Sequence, residues 1–154
     1  SHADTFFCSD VEKLFRDYRD SAPRIMQIDF YHDNNEIYGY EVYYEPSNGN
    51  QNSNLPDGTT PCYQVGHHIG SHFKGTEMRD TVKLDLSKDE RVTNIKMFSD
   101  NLVDRIELKT SLGSSHAFGG QKKDKHTVHE INEMKAGSRL VAFRGGLGGH
   151  IHNM

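Results

Sequence analysis

Histidines are the residues best suited to chemistry in this chain, ten among 154. His67, His68 and His72 form a His-His-x-x-x-His run, and His150 and His152 share one face of the chain if it is extended there. Imidazoles at such spacings can chelate zinc or copper. They also titrate near neutrality, so surface charge responds to pH between about 5 and 7.5. No carboxylate or thiol is interleaved with these clusters, and histidines alone are more often incidental than a physiological site. No resident metal and no cofactor is therefore expected. Enzyme signatures are missing as well: there is no Gly-x-Ser-x-Gly elbow, no phosphate-binding loop, no Gly-x-Gly-x-x-Gly after a strand and no His-Glu-x-x-His. His129-Glu130 is the nearest thing to an acid–base pair, and nothing in its spacing favours that use. A binding module is expected rather than an enzyme.

Two cysteines, Cys8 and Cys62, can form at most one bridge. A bridged pair in a secreted domain and two buried thiols in a reduced compartment both fit. The net charge is −4 and basic residues are spread singly, apart from Lys122, Lys123 and Lys125. That short cluster reads as a solvated loop, so nucleic acid is not an expected partner. No apolar run approaches the roughly 18 to 20 residues of a membrane span. The N-terminus carries no basic region followed by an apolar stretch, the mark of a signal peptide. Hydrophobic residues make up 34% of the chain, enough with the 14 glycines for one core but not two. A single domain over 1–154 is expected.

The elements that must position any site are mostly strands. Residues 9–20 carry the one helical pattern, with Val11, Leu14, Phe15 and Tyr18 at helical spacing and Ser9 with Glu12 as a capping box. After Pro23 the period changes to two. Met26, Ile28 and Phe30 alternate with polar neighbours, Asp33-Asn34-Asn35 supplies a turn, and 36–45 forms the second strand of a hairpin. Residues 46–61 hold little but turn and polar types and read as a long exposed loop, partly disordered by composition. Short β-like runs then follow at 81–86, 91–98, 102–110, 125–131 and 138–144, with turn-rich separators that include SLGSSHAFGG. This spacing without intervening helices argues for an all-β sandwich, barrel or prism.

Three blocks in this order resemble the jacalin-like lectin domain. They are Lys83-Leu84-Asp85-Leu86 leading to Val92-Thr93-Asn94-Ile95, then Ile106-Glu107-Leu108-Lys109-Thr110 with Ala117-Phe118-Gly119, and finally Val141-Ala142-Phe143-Arg144-Gly145-Gly146-Leu147-Gly148. Together they cover about 15–152. The resemblance implies a β-prism of three Greek-key four-stranded sheets, here with a short helical or irregular N-terminal extension. It also implies a sugar site at one end of the prism. Taken alone, the same residues are strand cores, an Asp89-Glu90 hairpin turn and glycines that permit positive φ, and a fold does not determine a ligand.

In the family the sugar is held chiefly by a Gly-x-x-x-Asp loop, matched here by Gly148-Gly149-His150-Ile151-His152, with aromatics from neighbouring loops stacking on the ring. Phe98 matches a position often held by a stacking tyrosine, and Phe73 lies in the loop that contributes a second aromatic. For both, ordinary packing is the competing reading. His152 stands where the family has Asp. A neutral imidazole offers one acceptor against a carboxylate's two oxygens, and losing two charge-assisted bonds costs on the order of 3 kcal/mol, a hundredfold or more in affinity. The Gly-Gly loop that joins the site near the start of many family members is also missing before Phe15.

Two functions thus stay open. One is a carbohydrate-binding module of a larger secreted or cell-surface protein, with glycan or glycoprotein as partner. The other is a prism whose sugar site is lost and which contacts other protein domains or a membrane surface. If sugar binds, His150 and His152 imply an affinity that changes between about pH 5 and 7.5. Residues 3–8 would complete the last sheet by pairing with its edge, bringing Cys8 within reach of Cys62.

Overall fold

The computed structural model of the protein describes residues 5–6, 9–18, 23–47, 49–65, 68–70, 73–131 and 146–147. In chain order they form β1 (Thr5–Phe6), α1 (Ser9–Tyr18), β2 (Ile25–His32), β3 (Ile37–Tyr44), β4 (Ser53–Asn54), β5 (Pro61–Cys62) and β6 (His68–Ile69). There follow β7 (Met78–Lys83), a 3₁₀ turn (Leu86–Lys88), β8 (Val92–Ser99), β9 (Val103–Thr110), β10 (Ser115–Gly119), β11 (Thr127–Ile131) and β12 (Gly146–Leu147). Two antiparallel four-stranded sheets dominate, ordered β6-β3-β2-β7 and β10-β9-β8-β11.

These sheets are built alike. Each centres on a hairpin of two eight-residue strands, β2–β3 and β8–β9. In each, the register shifts early in the first strand, at Met26 and at Thr93, and again early in the second, at Tyr38 and at Asp104. The strand that leads out of one hairpin pairs beside its first strand, as β7 does on β2 and β11 on β8.

Alternation decides which face is buried. Ile28 and Phe30 of β2, Tyr40 of β3 and Val82 of β7 point inward and meet Val92, Ile95, Val103, Ile106 and Leu108 of the second sheet in one cluster. Phe118 of β10 stacks on Phe30 across the sheets, centroids 4.8 Å apart and planes at 24°. At roughly 1.5 to 3 kcal/mol per buried aliphatic or aromatic side chain, this cluster is the main stabilising element. Helix α1 closes it from one side: Leu14 and Tyr18, one turn apart, are buried. The Tyr18 hydroxyl donates to the Glu45 carbonyl at 2.7 Å, and its ring meets Tyr63 edge-on at 5.4 Å.

The helix, the first hairpin and the strands near 81–86, 91–98, 102–110 and 125–131 stand where the sequence places them. The run at 138–144 and the side chains of the Ser9–Glu12 capping box lie outside the described residues. Elsewhere the structure differs. The separator SLGSSHAFGG contains β10, an edge strand that buries only Phe118 and so has no apolar alternation to reveal it. Asp89-Glu90 does not join two strands of one hairpin. It lies on the crossover between the two sheets, where Asp89 takes a left-handed φ of 50°. Buried Glu90 ties the crossover down: Asp85 N–H donates to its Oε1 at 2.9 Å and the Thr110 hydroxyl to its Oε2 at 2.5 Å.

Residues 49–62 are an ordered excursion rather than a loose loop. β4 pairs with β5, and the Asp57 carboxylate accepts from the Thr59 and Thr60 N–H groups and the Thr60 hydroxyl at 2.8, 2.9 and 2.6 Å. Those bonds hold the Asp57 carboxyl down at about 2, the Thr60 hydroxyl contributing most. Cys62, at the end of β5, is a buried free thiol. Burial in the wall of the excursion turns it away from solvent and pushes the thiol up. Cys8 itself lies outside the described residues. β1 pairs with β12, Thr5 opposite Leu147 and Phe6 opposite Gly146, a two-stranded sheet among the described residues; the rest of the expected 3–8 segment lies outside them.

Candidate functional site

One end of the two sheets is assembled from four turns. The β2–β3 turn at 33–36 and the segment 73–77 before β7 belong to the first sheet. The β8–β9 turn at 99–102 and the loop 120–126 before β11 belong to the second. Each turn is held by its own side chains. Asp33 accepts from the Asn35 and Glu36 N–H groups at 3.0 and 3.2 Å and from the Tyr38 hydroxyl at 2.5 Å, which pushes the Tyr38 phenol upward. Glu77 accepts from Lys74 N–H at 2.9 Å and Gly75 N–H at 3.1 Å. Lys125 reaches Asp100 at 2.8 Å, the chief cause of that carboxyl's lowered pKa.

Two buried histidines anchor these turns in the same manner. His32 Nδ1 accepts from Gly119 N–H at 3.2 Å, so Nε2 carries the proton and donates to Asp80 at 2.6 Å. His126 Nδ1 accepts from Lys123 N–H at 3.2 Å and Nε2 donates to Asp104 at 2.8 Å. Both ring nitrogens are used in each case. The first pair also joins the sheets, because Gly119 lies on β10. A Cβ at Gly119 would stand 2.1 Å from the Asp104 carbonyl oxygen, and one at Gly120 2.5 Å from that of Asn35, so only glycine allows these turns to approach so closely.

The two candidate aromatics come to this same end on different sheets. Phe98 shares its outer face with Arg105 and Val128 by register. It is only 5% exposed, because Lys122 Nζ sits over the ring at 5.9 Å and His126 meets it edge-on at 6.1 Å. Packing therefore occupies the ring of Phe98. Phe73 is half-buried and meets Tyr31 edge-on at 4.9 Å, leaving part of its ring open. Burial, aided by Glu41 and Asp29, pushes the Tyr31 phenol up to about 12. Gly148, Gly149, His150, Ile151 and His152 lie outside the described residues. They follow β12 directly in the chain. Of the histidine run, His67 and His72 also lie outside, and among the described residues no group of three metal-ligating side chains converges.

The sequence left one feature unmarked. The outward face of β2, β3 and β7 carries buried polar groups. Asp29, fully buried, accepts from Thr81 Oγ1 at 2.7 Å and Gln27 Nε2 at 3.0 Å on one oxygen and from Tyr43 Oη at 3.3 Å on the other. Polar alternation alone assigns such residues to solvent. The Leu55-Pro56 pair inside an otherwise polar loop was the one signal that something apolar lies above them.

The described residues form two antiparallel four-stranded sheets with turns gathered at one end, two of the three sheets a β-prism comprises. The family model of the jacalin-like lectin domain matches residues 13–154, and the chain belongs to that family. No curated protein matches it. Among solved structures it is similar to artocarpin, described as a lectin with mannose specificity, at 15% identity and a TM-score of 0.62 over 86% of this chain and 80% of artocarpin. It is similar also to a galactose-specific lectin from Artocarpus hirsuta in complex with methyl-α-D-galactose, at 19% identity and a TM-score of 0.62, covering 86% and 90% of the two chains. Jacalin in complex with the T-antigen gives 16% identity and a TM-score of 0.61 with the same coverage. At these identities the likeness establishes the β-prism fold.

Proposed function

We propose that the chain is a carbohydrate-binding module, non-enzymatic, that takes glycan or glycoprotein through the loops at one end of the prism. The family match over 13–154 carries this reading. The end described above supports it, because its turns are fixed before any ligand arrives and little ordering remains to oppose binding. Residues 148–152 supply the polar contacts, and Phe73 is the better placed of the two aromatics for a sugar's C–H face. Phe98 instead supports the loop at 120–126. The module belongs to a larger secreted or cell-surface protein, in which several weak sites add through avidity.

His152 favours a second reading, in which the missing carboxylate has cost the site its sugar and this end meets protein or membrane. A glycan array of multivalently immobilised protein separates the two. A coherent set of hits that vanishes in Gly149→Trp supports the lectin reading, and a blank array on folded protein supports the second.

A further inference from the structure

A cleft of about 600 Å³ opens between the 53–62 excursion and the outer face of β2 and β7. Its size falls in the range of small-ligand sites. The bulge at Met26 produces its floor, since the extra residue re-aims the strand and leaves Met26 beside Gln27 in the cleft lining. Thr81 and Gln27 both spend a donor on buried Asp29. Gln27 also lines this space, and its carbonyl oxygen has no hydrogen-bond partner among the described residues. Leu55 and Pro56 on the excursion, with Leu84 and Leu86 opposite, supply aliphatic walls.

The cleft carries two basic side chains. Arg79 and Lys83 line it from β7, exposed, and neither makes an ion pair among the described residues. Arg79 stands near the neutral Tyr31 phenol. Two carboxylates lie near them: Asp57, which also lines the cleft and stays ionised under the hydrogen bonds of its own turn, and Asp29, which accepts from three side chains of the sheet. The cleft thus presents two uncommitted cations about 13 Å apart along the strand, with hydroxyl and amide groups between them. A neutral monosaccharide would leave both cations unused.

We infer that this cleft is a second saccharide site, separate from the prism end, which takes an acidic oligosaccharide. Anionic groups of the ligand pair with Arg79 and Lys83, hydroxyls meet Gln27 and Thr81, and the sugar's C–H face lies on Leu55 and Pro56. The site stands whether or not the 148–152 loop binds sugar.

Trigalacturonate and its methyl ester, titrated calorimetrically into the whole chain, are the probes. Binding of the acid, at least tenfold weaker for the ester, is expected. The double variant Arg79→Glu/Lys83→Glu should lose at least tenfold, Lys83→Arg should retain affinity, and Gly149→Trp should leave it unchanged. Both charged positions are exposed, so an unaltered unfolding midpoint confirms that the double variant folds. Equal affinity for acid and ester, no loss in the double variant, or no binding of the acid would each overturn the inference. Loss in Gly149→Trp alone would overturn it too, by assigning the acid to the prism end.

Discussion

The two four-stranded sheets share strand order, hairpin length and bulge positions, so each outward residue of one has a counterpart on the other. Asp29 at the centre of the first corresponds to Lys96 in the second, Tyr31 to Phe98, and Thr81 to Glu130. Asp29 is fully buried and takes hydrogen bonds from three neighbours. Lys96 keeps 35% of its side chain in solvent and reaches Glu130 at 3.6 Å, in a surface where Arg105 and Lys122 also pair with Glu107. The same backbone thus carries a sealed polar network on one face and a solvated ion ladder on the other. A carboxylate sealed among neutral donors is costly to disturb, whereas exposed pairs contribute little. The first face is the one roofed by the 53–62 excursion, and there the fold has made a cleft.

The sharpest way to break the likeness is to cut the joint between the sheets. Phe118→Ala removes the ring stacked on Phe30 and should cost about 3 to 5 kcal/mol in urea unfolding. A loss under about 1 kcal/mol would show that the sheets do not share one core.

Next comes the contrast at the centre of each face. Asp29→Ala strands the Gln27 and Thr81 donors, while Tyr43 keeps Glu41, and should destabilise by about 2 to 3 kcal/mol. Lys96→Ala should change stability by no more than about 0.5 kcal/mol. Equal losses at the two positions would remove the distinction between the faces.

The paired histidines test the likeness itself. His32→Ala and His126→Ala each leave a carboxylate without its donor and free a backbone N–H, so each should cost about 1 to 3 kcal/mol, with similar values. A neutral His126 substitution beside a damaging His32 one would mean that only the inter-sheet anchor matters.

The smallest effect lies in the excursion. The Asp57 carboxyl is held at about 2, below its ordinary value near 3.8, chiefly by the Thr60 hydroxyl. A depressed carboxyl stabilises the folded form above its unfolded pKa and loses that contribution as pH falls through the folded one. The 53–62 turn should therefore stay closed at pH 4 and open as pH falls toward about 2, seen in the Thr59 and Thr60 amide signals. An opening between pH 6 and 4 would contradict the hydrogen bonding described.

Much of this architecture was legible because apolar residues recur at every second position through the middle of these strands, as Ile28 and Phe30, Tyr40 and Val42, Ile95 and Met97, and Ile106 and Leu108 do. Strand β10 was not, since an edge strand with one buried ring gives no period to read. The sealed face was illegible for a related reason: Gln27 and Asp29 occupy polar positions of the alternation, and their burial depends on Tyr43 and Thr81 from other strands. At the prism end, the resemblance named Phe73 and Phe98, which stand on different sheets. That Phe98 is covered could not be read, because its cover comes from Lys122 and His126 on a loop with no marked pattern.

Glycan binding at the prism end is tested most directly by the multivalent glycan array, run on the wild-type chain beside Gly149→Trp. A coherent family of glycans bound by the first and lost in the second is the expected result. A blank array on protein with a normal unfolding transition would contradict it and leave His152 as the residue that closed the sugar site.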